Sequence, residues 1–163
     1  MIIQHPKESG HPFNTGKICK RVLSQCRLIQ TEQLSVEQVN EINLDGTYLV
    51  YPDMTWLSTE STNPDELQQE QVRQLVFIDA SWRHSKRILH LNALLQNLPR
   101  IGLPMNIDSE YRVRKSPKYP GLSTVESVYQ VLSALEGEQN VRPLLKAFRA
   151  MVDLAISARG NNS

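Results

Sequence analysis

The segment Leu75-Val76-Phe77-Ile78, four consecutive apolar residues closed by Asp79, constrains the fold more than any other stretch of the chain. An apolar run without polar alternation is the signature of a strand covered on both faces, as in the middle of a parallel sheet. Around it, short apolar and β-branched runs alternate with stretches of helical period, the pattern of βαβ units. The pattern predicts strands over 2–4, 27–30, 48–51, 75–79, 100–103 and 111–114, and helices over 15–23, 35–43, 64–74, 82–96, 122–135 and 142–158. In the last of these Leu144, Leu145, Phe148, Met151, Val152, Ala155 and Ile156 repeat at helical spacing and define one apolar face. The polar stretch 58–64 reads as a loop that ends where Pro64 opens a helix. The expected class is α/β, a mostly parallel sheet with helices on both faces.

At 163 residues, with 40% apolar and 21% charged residues, the chain is expected to form a single domain over 1–163. Cys19 and Cys26 form no CxxC pair and resemble neither a zinc ligand set nor a disulfide framework. The four histidines, His5, His11, His84 and His90, include no close pair at ligand spacing, so no metal site is expected. No apolar run reaches the ~20 residues that span a bilayer, and the first residues lack the basic start and apolar stretch of a signal peptide. The expectation is a soluble, cytoplasmic chain without a membrane partner.

A net charge of +1 hides an uneven distribution. Residues 28–72 carry nine carboxylates and no Lys or Arg, whereas residues 73–118 carry nine cations against Asp79, Asp108 and Glu110. Cations gathered on one face would attract a nucleic acid or a phosphorylated ligand, and dispersed over separate helices they are only solvated charges.

There is no GxGxxG, Walker loop, GxSxG or HExxH. Two segments could carry chemistry. In Ile78-Asp79-Ala80-Ser81-Trp82-Arg83 a carboxylate stands at the carboxyl end of the central strand, the edge at which open parallel sheets bind ligands. Equally, Asp79 or Ser81 could cap a helix starting at Trp82. In the second segment, Arg112, Arg114, Lys115 and Lys118 precede a helix whose start, Ser123-Thr124-Val125-Glu126, has the capping-box pattern. Cations beside a helix N-terminus favour an anionic group such as a carboxylate or phosphate.

Taken in order, His5-Pro6-Lys7-Glu8 with Thr15-Gly16, the Tyr48-Leu49-Val50-Tyr51-Pro52 strand end, Asp79-x-Ser81-Trp82, and Arg114 with Leu122-Ser123-Thr124-Val125-Glu126 resemble the DTW-domain family over residues 2–135. The resemblance implies a SPOUT-like fold with a C-terminal knot at the cofactor site, and transfer of the 3-amino-3-carboxypropyl group of S-adenosylmethionine to N3 of a tRNA uridine. It further implies catalytic roles for Asp79, Ser81 and Trp82, with Asp79 as the base or the group that orients N3. A cofactor pocket would come from Tyr51, Pro52, Arg114, Ser123, Thr124 and Glu126, and tRNA phosphates would be met by Lys7, Lys17, Arg83, Lys86, Arg87 and Lys118. Two departures stand out. Ser81 occupies a position where the family usually has Thr, and the cysteine cluster common ahead of the His-Pro segment is not in this sequence. A SPOUT-type RNA methyltransferase and a non-catalytic RNA-binding protein are the alternatives to this reading.

Overall fold

The computed structural model describes residues 1–54, 56–57, 59–67, 71–103, 109–110 and 121–160. Six strands, β1 (Ile2–Gln4), β2 (Leu28–Gln30), β3 (Thr47–Val50), β4 (Ser61–Thr62), β5 (Gln74–Asp79) and β6 (Arg100–Ile101), form one sheet in the order β2-β1-β5-β3-β6-β4. Every pairing is parallel. The central strand β5 is the apolar run that the sequence singles out.

Adjacent side chains of a strand point to opposite faces, and the chain uses both. Ile2, Val50, Phe77 and Ile101 face one core, packed with Cys19 of α1 (Thr15–Val22) and the apolar stripes of α5 (Thr124–Glu136) and α6 (Glu138–Gly160). Ile3, Leu49 and Val76 face a second core, closed by Ile88 and Leu89 of α3 (Trp82–Leu91) and Leu95 of α4 (Ala93–Gln96). A short α2 (Val36–Asn40) begins at a Ser35 capping box. The expected α/β class with helices on both faces is what the chain adopts. No helix among the described residues is long and apolar enough to cross a membrane.

The differences from expectation have local causes. Of the helix expected over 64–74, the described residues show a 3-10 turn at Pro64–Glu66, capped by Asn63, and 3-10 conformation at Gln71, and β5 begins at Gln74. Beyond that turn only Leu67 and Val72 are apolar, and a spacing of five makes no helical stripe. The helix expected over 82–96 breaks at buried Asn92, whose Nδ2 donates to the carbonyls of Ile88 (2.6 Å) and Glu32 (2.9 Å) while its Oδ1 accepts the N–H of Leu34 (2.8 Å). The stretch read as a loop contains β4, paired with β6 at the sheet edge. The last helix starts at Glu138, earlier than expected, because Gly137 at φ 87° ends α5 and opens α6 in one step. The strand expected over 111–114 lies outside the described residues.

Strand β6 is inserted between β3 and β4, two strands that follow each other in sequence. Arg100 on β6, only 2% exposed, donates to Pro52 O (Nη1, 2.9 Å) and Thr59 Oγ1 (Nε, 2.9 Å), and its Nη2 lies 3.3 Å from Asp53 Oδ1. A buried guanidinium therefore holds the β3–β4 connection over the carboxyl end of the sheet.

Candidate active site

The carboxyl ends of β3 and β5, the segment leading into α1, and the starts of α3 and α5 line a cavity of about 430 Å³. Its walls include Glu8, Asn14, Tyr51, Pro52, Asp79, Ser81, Trp82, Arg83 and Thr124.

Asp79 stands on its wall. Parallel register places Gln4 of β1 beside Asp79 of β5, and Gln4 Nε2 donates to Asp79 Oδ2 at 2.7 Å. Thr124 Oγ1, from the first turn of α5, donates to Oδ1 at 2.7 Å. Gln4 is fully buried and also donates to Asn14 Oδ1 at 2.9 Å, while its own Oε1 accepts from Gln30 Nε2 at 3.2 Å. Asn14 in turn caps α1 through the N–H of Lys17 and donates to Glu8 O. The carboxylate thus rests in a network whose buried members all have partners, the arrangement that holds a polar group in one orientation. Gly16, in the first turn of α1, gives it room: a Cβ there would lie 2.6 Å from Asp79 Oδ2. The positive ends of α1 and α5 both face Asp79.

Trp82 packs edge-on against Tyr51, with centroids 6.1 Å apart at 73°. Tyr51 is buried, its hydroxyl lies 2.9 Å from Ser85 Oγ, and burial pushes its phenol up from the ordinary range, so it walls the cavity as a neutral ring. Ser81 is the N-cap residue of α3, yet its side chain makes no capping bond. Its Oγ instead lies 3.0 Å from His84 Nδ1. The helix start is therefore at Ser81, and Asp79 is a strand end with other partners.

Glu126 is placed differently from the other expected pocket residues. It is buried, closes the α5 capping box through the N–H and hydroxyl of Ser123 (both 2.7 Å), and accepts from Glu110 N–H (2.6 Å) and Ser109 Oγ (2.8 Å). It does not line the cavity. Ser123 lines the wall, but its hydroxyl is spent on the cap. Arg114 and Lys118 lie outside the described residues.

Next to the cavity, across Arg83, a second cleft of about 650 Å³ gathers Lys7, Arg83, Lys86 and Arg87 with His84, His90 and Glu32. Arg87 Nε donates to Glu32 Oε2 at 2.8 Å, and Arg87 and then His5 hold the Glu32 carboxyl below its usual range. Of the cations counted over residues 73–118, these three from α3 converge. Arg100 does not join them, being buried, and Arg73 pairs with Asp45 at 2.9 Å at the amino end of β5. Lys17 Nζ donates to Ser9 O at 2.8 Å. Among the described residues no group of three His, Cys, Asp or Glu side chains could hold a metal ion.

Sequence reasoning missed Gln4, Asn14 and Arg100. Asn14 was open to discovery as the capping residue before a helix expected at Thr15. Gln4 depends on strand register and Arg100 on the insertion of β6, neither of which leaves a local signal.

The sequence model of the DTW domain matches residues 1–156. The chain is 28% identical over 160 residues to tRNA-uridine aminocarboxypropyltransferase 2 of Macaca fascicularis, covering 92% of this chain and 52% of that protein. It is 25% identical over 183 residues to tRNA-uridine aminocarboxypropyltransferase A of Arabidopsis thaliana, covering 93% of this chain and 69% of that protein. The Drosophila melanogaster tRNA-uridine aminocarboxypropyltransferase 2 is 26% identical over 153 residues, covering 89% of this chain and 59% of its own. The chain thus spans about half the length of the mammalian relatives it matches. No solved structure matches it significantly. With Asp79, Ser81 and Trp82 on the cavity wall and the family match running over nearly all its length, the chain belongs to the DTW domain family.

Proposed function

We propose that the chain transfers the 3-amino-3-carboxypropyl group of S-adenosylmethionine to N3 of a tRNA uridine and releases methylthioadenosine, a reaction of the class for which its relatives are named. The observation that carries the reading is the Asp79 carboxylate, held by Gln4 and Thr124 in a cavity it shares with Trp82. At about 430 Å³ the cavity falls in the ~300–1,000 Å³ range of small-molecule sites. The donor supplies an electrophilic γ-carbon beside its sulfonium: the N3–carbon bond forms as the carbon–sulfur bond breaks, and the electron pair stays on sulfur.

The chain's part in this chemistry is placement. Asp79 orients the acceptor N3–H, and Ser81 lies two residues along the same wall. Trp82 offers a ring face to the cationic sulfonium. Tyr51 and Pro52 wall the adenosine. The Ser123–Thr124 end of α5 favours the donor carboxylate through its helix N-terminus, together with Arg114, which is assigned by the family resemblance alone. Glu126 holds that helix end in place. Lys7, Arg83, Lys86 and Arg87 meet tRNA phosphates in the cationic cleft, with Lys17 and Lys118 as further contacts. The reading carries a SPOUT-like arrangement with a C-terminal knot, which the family resemblance implies. A cytoplasmic location goes with the tRNA substrate.

Asp79→Asn tests the central role. The amide keeps an acceptor for Thr124 but turns an NH₂ toward the donor nitrogen of Gln4. Turnover is expected to fall ~100-fold while calorimetric affinity for S-adenosylmethionine is retained. A fully active Asn variant removes Asp79 from the reaction.

A further inference from the structure

Ser81 has the backbone of a helix N-cap, φ −62° and ψ 157°, in which a serine hydroxyl ordinarily accepts an N–H from the first turn. Here that bond is not made, so the helix forgoes the stabilisation a serine cap ordinarily gives. The hydroxyl is turned to the His84 imidazole, 3.0 Å away. Helix stability does not account for this choice.

The two partners face different spaces. Ser81 lines the cavity with Asp79, whereas His84 lines the cationic cleft. His84 is held in place by stacking on His5, with centroids 3.8 Å apart and planes at 8°. His5 is itself fixed. Its Nδ1 accepts the Lys7 N–H at 3.2 Å, which puts the ring proton on Nε2, 2.6 Å from Glu32 Oε1. Burial first, and then His5, Lys7 and Arg83 against the opposing Glu8, lower the His84 pKa from the ordinary histidine range. At neutral pH the ring is therefore unprotonated, and in the tautomer that carries its proton on Nε2 the Nδ1 atom accepts from the Ser81 hydroxyl.

We propose that Ser81 and His84 form a relay that carries the uridine N3 proton out of the cavity. The inference rests on the reaction proposed above. N3 must lose its proton as it bonds to carbon, and the two groups that donate to Asp79, Gln4 and Thr124, offer that proton no onward acceptor, whereas Ser81 leads through His84 to the cleft. Asp79 orients N3–H, and Ser81 Oγ takes the proton as it passes its own to His84 Nδ1. The N3 lone pair forms the new bond, the leaving sulfur keeps the electron pair of the broken one, and the imidazolium releases the proton to water in the cleft. Ser81 touches the substrate. His84 acts through Ser81 as a positioning and relay residue.

The test is the pH dependence of kcat/KM for aminocarboxypropyl transfer to tRNA by the full chain, comparing wild type with His84→Gln, Ser81→Ala and Ser81→Thr. Wild type should lose activity toward acid with a midpoint below about 6.5, as His84 takes up a proton. In His84→Gln the acidic limb should vanish, the rate at neutral pH should fall ~100-fold, added imidazole should restore part of it, and tRNA and S-adenosylmethionine affinities should be unchanged. Ser81→Ala should behave likewise and add nothing in combination with His84→Gln, while Ser81→Thr should retain activity. A His84→Gln enzyme with wild-type rate and the same pH profile overturns the relay and leaves the reaction standing. Absence of any aminocarboxypropyl product from wild type overturns the reaction, and the relay with it.

Discussion

Replacing Gly16 by alanine should separate stability from activity. At an ordinary helical position glycine to alanine stabilises by up to ~1 kcal/mol. At Gly16 the new Cβ would sit 2.6 Å from Asp79 Oδ2, 3.1 Å from Gln4 Nε2 and 3.4 Å from Asn14 Oδ1. Restoring ordinary contact requires moving the carboxylate by about 1 Å. The displaced oxygen is the one bonded to Gln4, and losing a hydrogen bond to a charged group costs about 1.5–3 kcal/mol. The two effects partly cancel, so the net destabilisation is expected to be about 1–2 kcal/mol. Activity has no such compensation, because a 1 Å misplacement of a positioned group costs ~100-fold in rate. Urea denaturation and single-turnover transfer to tRNA read the two quantities on the same variant. A Gly16→Ala protein that is more stable than wild type and equally active would refute the reasoning, because Asp79 would then be free to move without consequence.

Arg100→Met should leave Pro52 O and Thr59 Oγ1 without their donor and destabilise the chain by about 1–3 kcal/mol in urea, while weakening S-adenosylmethionine binding ~10-fold through the loosened Pro52 wall. Unchanged affinity would show that the guanidinium does not position that wall. Burial pushes the thiols of Cys19 and Cys26 upward, so neither should react with an aromatic disulfide reagent at pH 8 until the chain is denatured. Because the folded state favours the protonated thiols, their contribution to stability is complete below about pH 8.5 and is lost as pH rises above it, which alkaline melts would detect. Charge reversal at Arg83 or Lys86 should weaken tRNA binding and flatten the salt dependence of log K by about one or more. A salt-independent affinity would argue against phosphate contacts in the cleft.

How much of this was legible in the sequence depends on whether the signal was local. The apolar run of β5, the alternation of strand and helix, and the Ser123 capping box are properties of contiguous residues, and each appears where expected. Asp79 was legible as a strand-end carboxylate because the run before it ends there. Its partners were not: Gln4 meets Asp79 only through parallel register with a strand 75 residues away, and Thr124 only through the packing of α5 on the sheet. Arg100 falls in the cation-rich stretch 73–118, and charge alone does not reveal that it is buried. The break at Asn92 has the same origin, since its side chain is drawn to the backbone of Glu32 and Leu34 far back in the chain.

The central claim is tested most directly by incubating the chain with tRNA and S-adenosylmethionine, digesting the RNA, and weighing the nucleosides and the spent donor by mass spectrometry. Transfer from the γ-carbon gives uridine carrying an aminocarboxypropyl group and an equal amount of methylthioadenosine, the expected result. A methylated nucleoside with S-adenosylhomocysteine, or tRNA recovered unmodified while still bound, would contradict it.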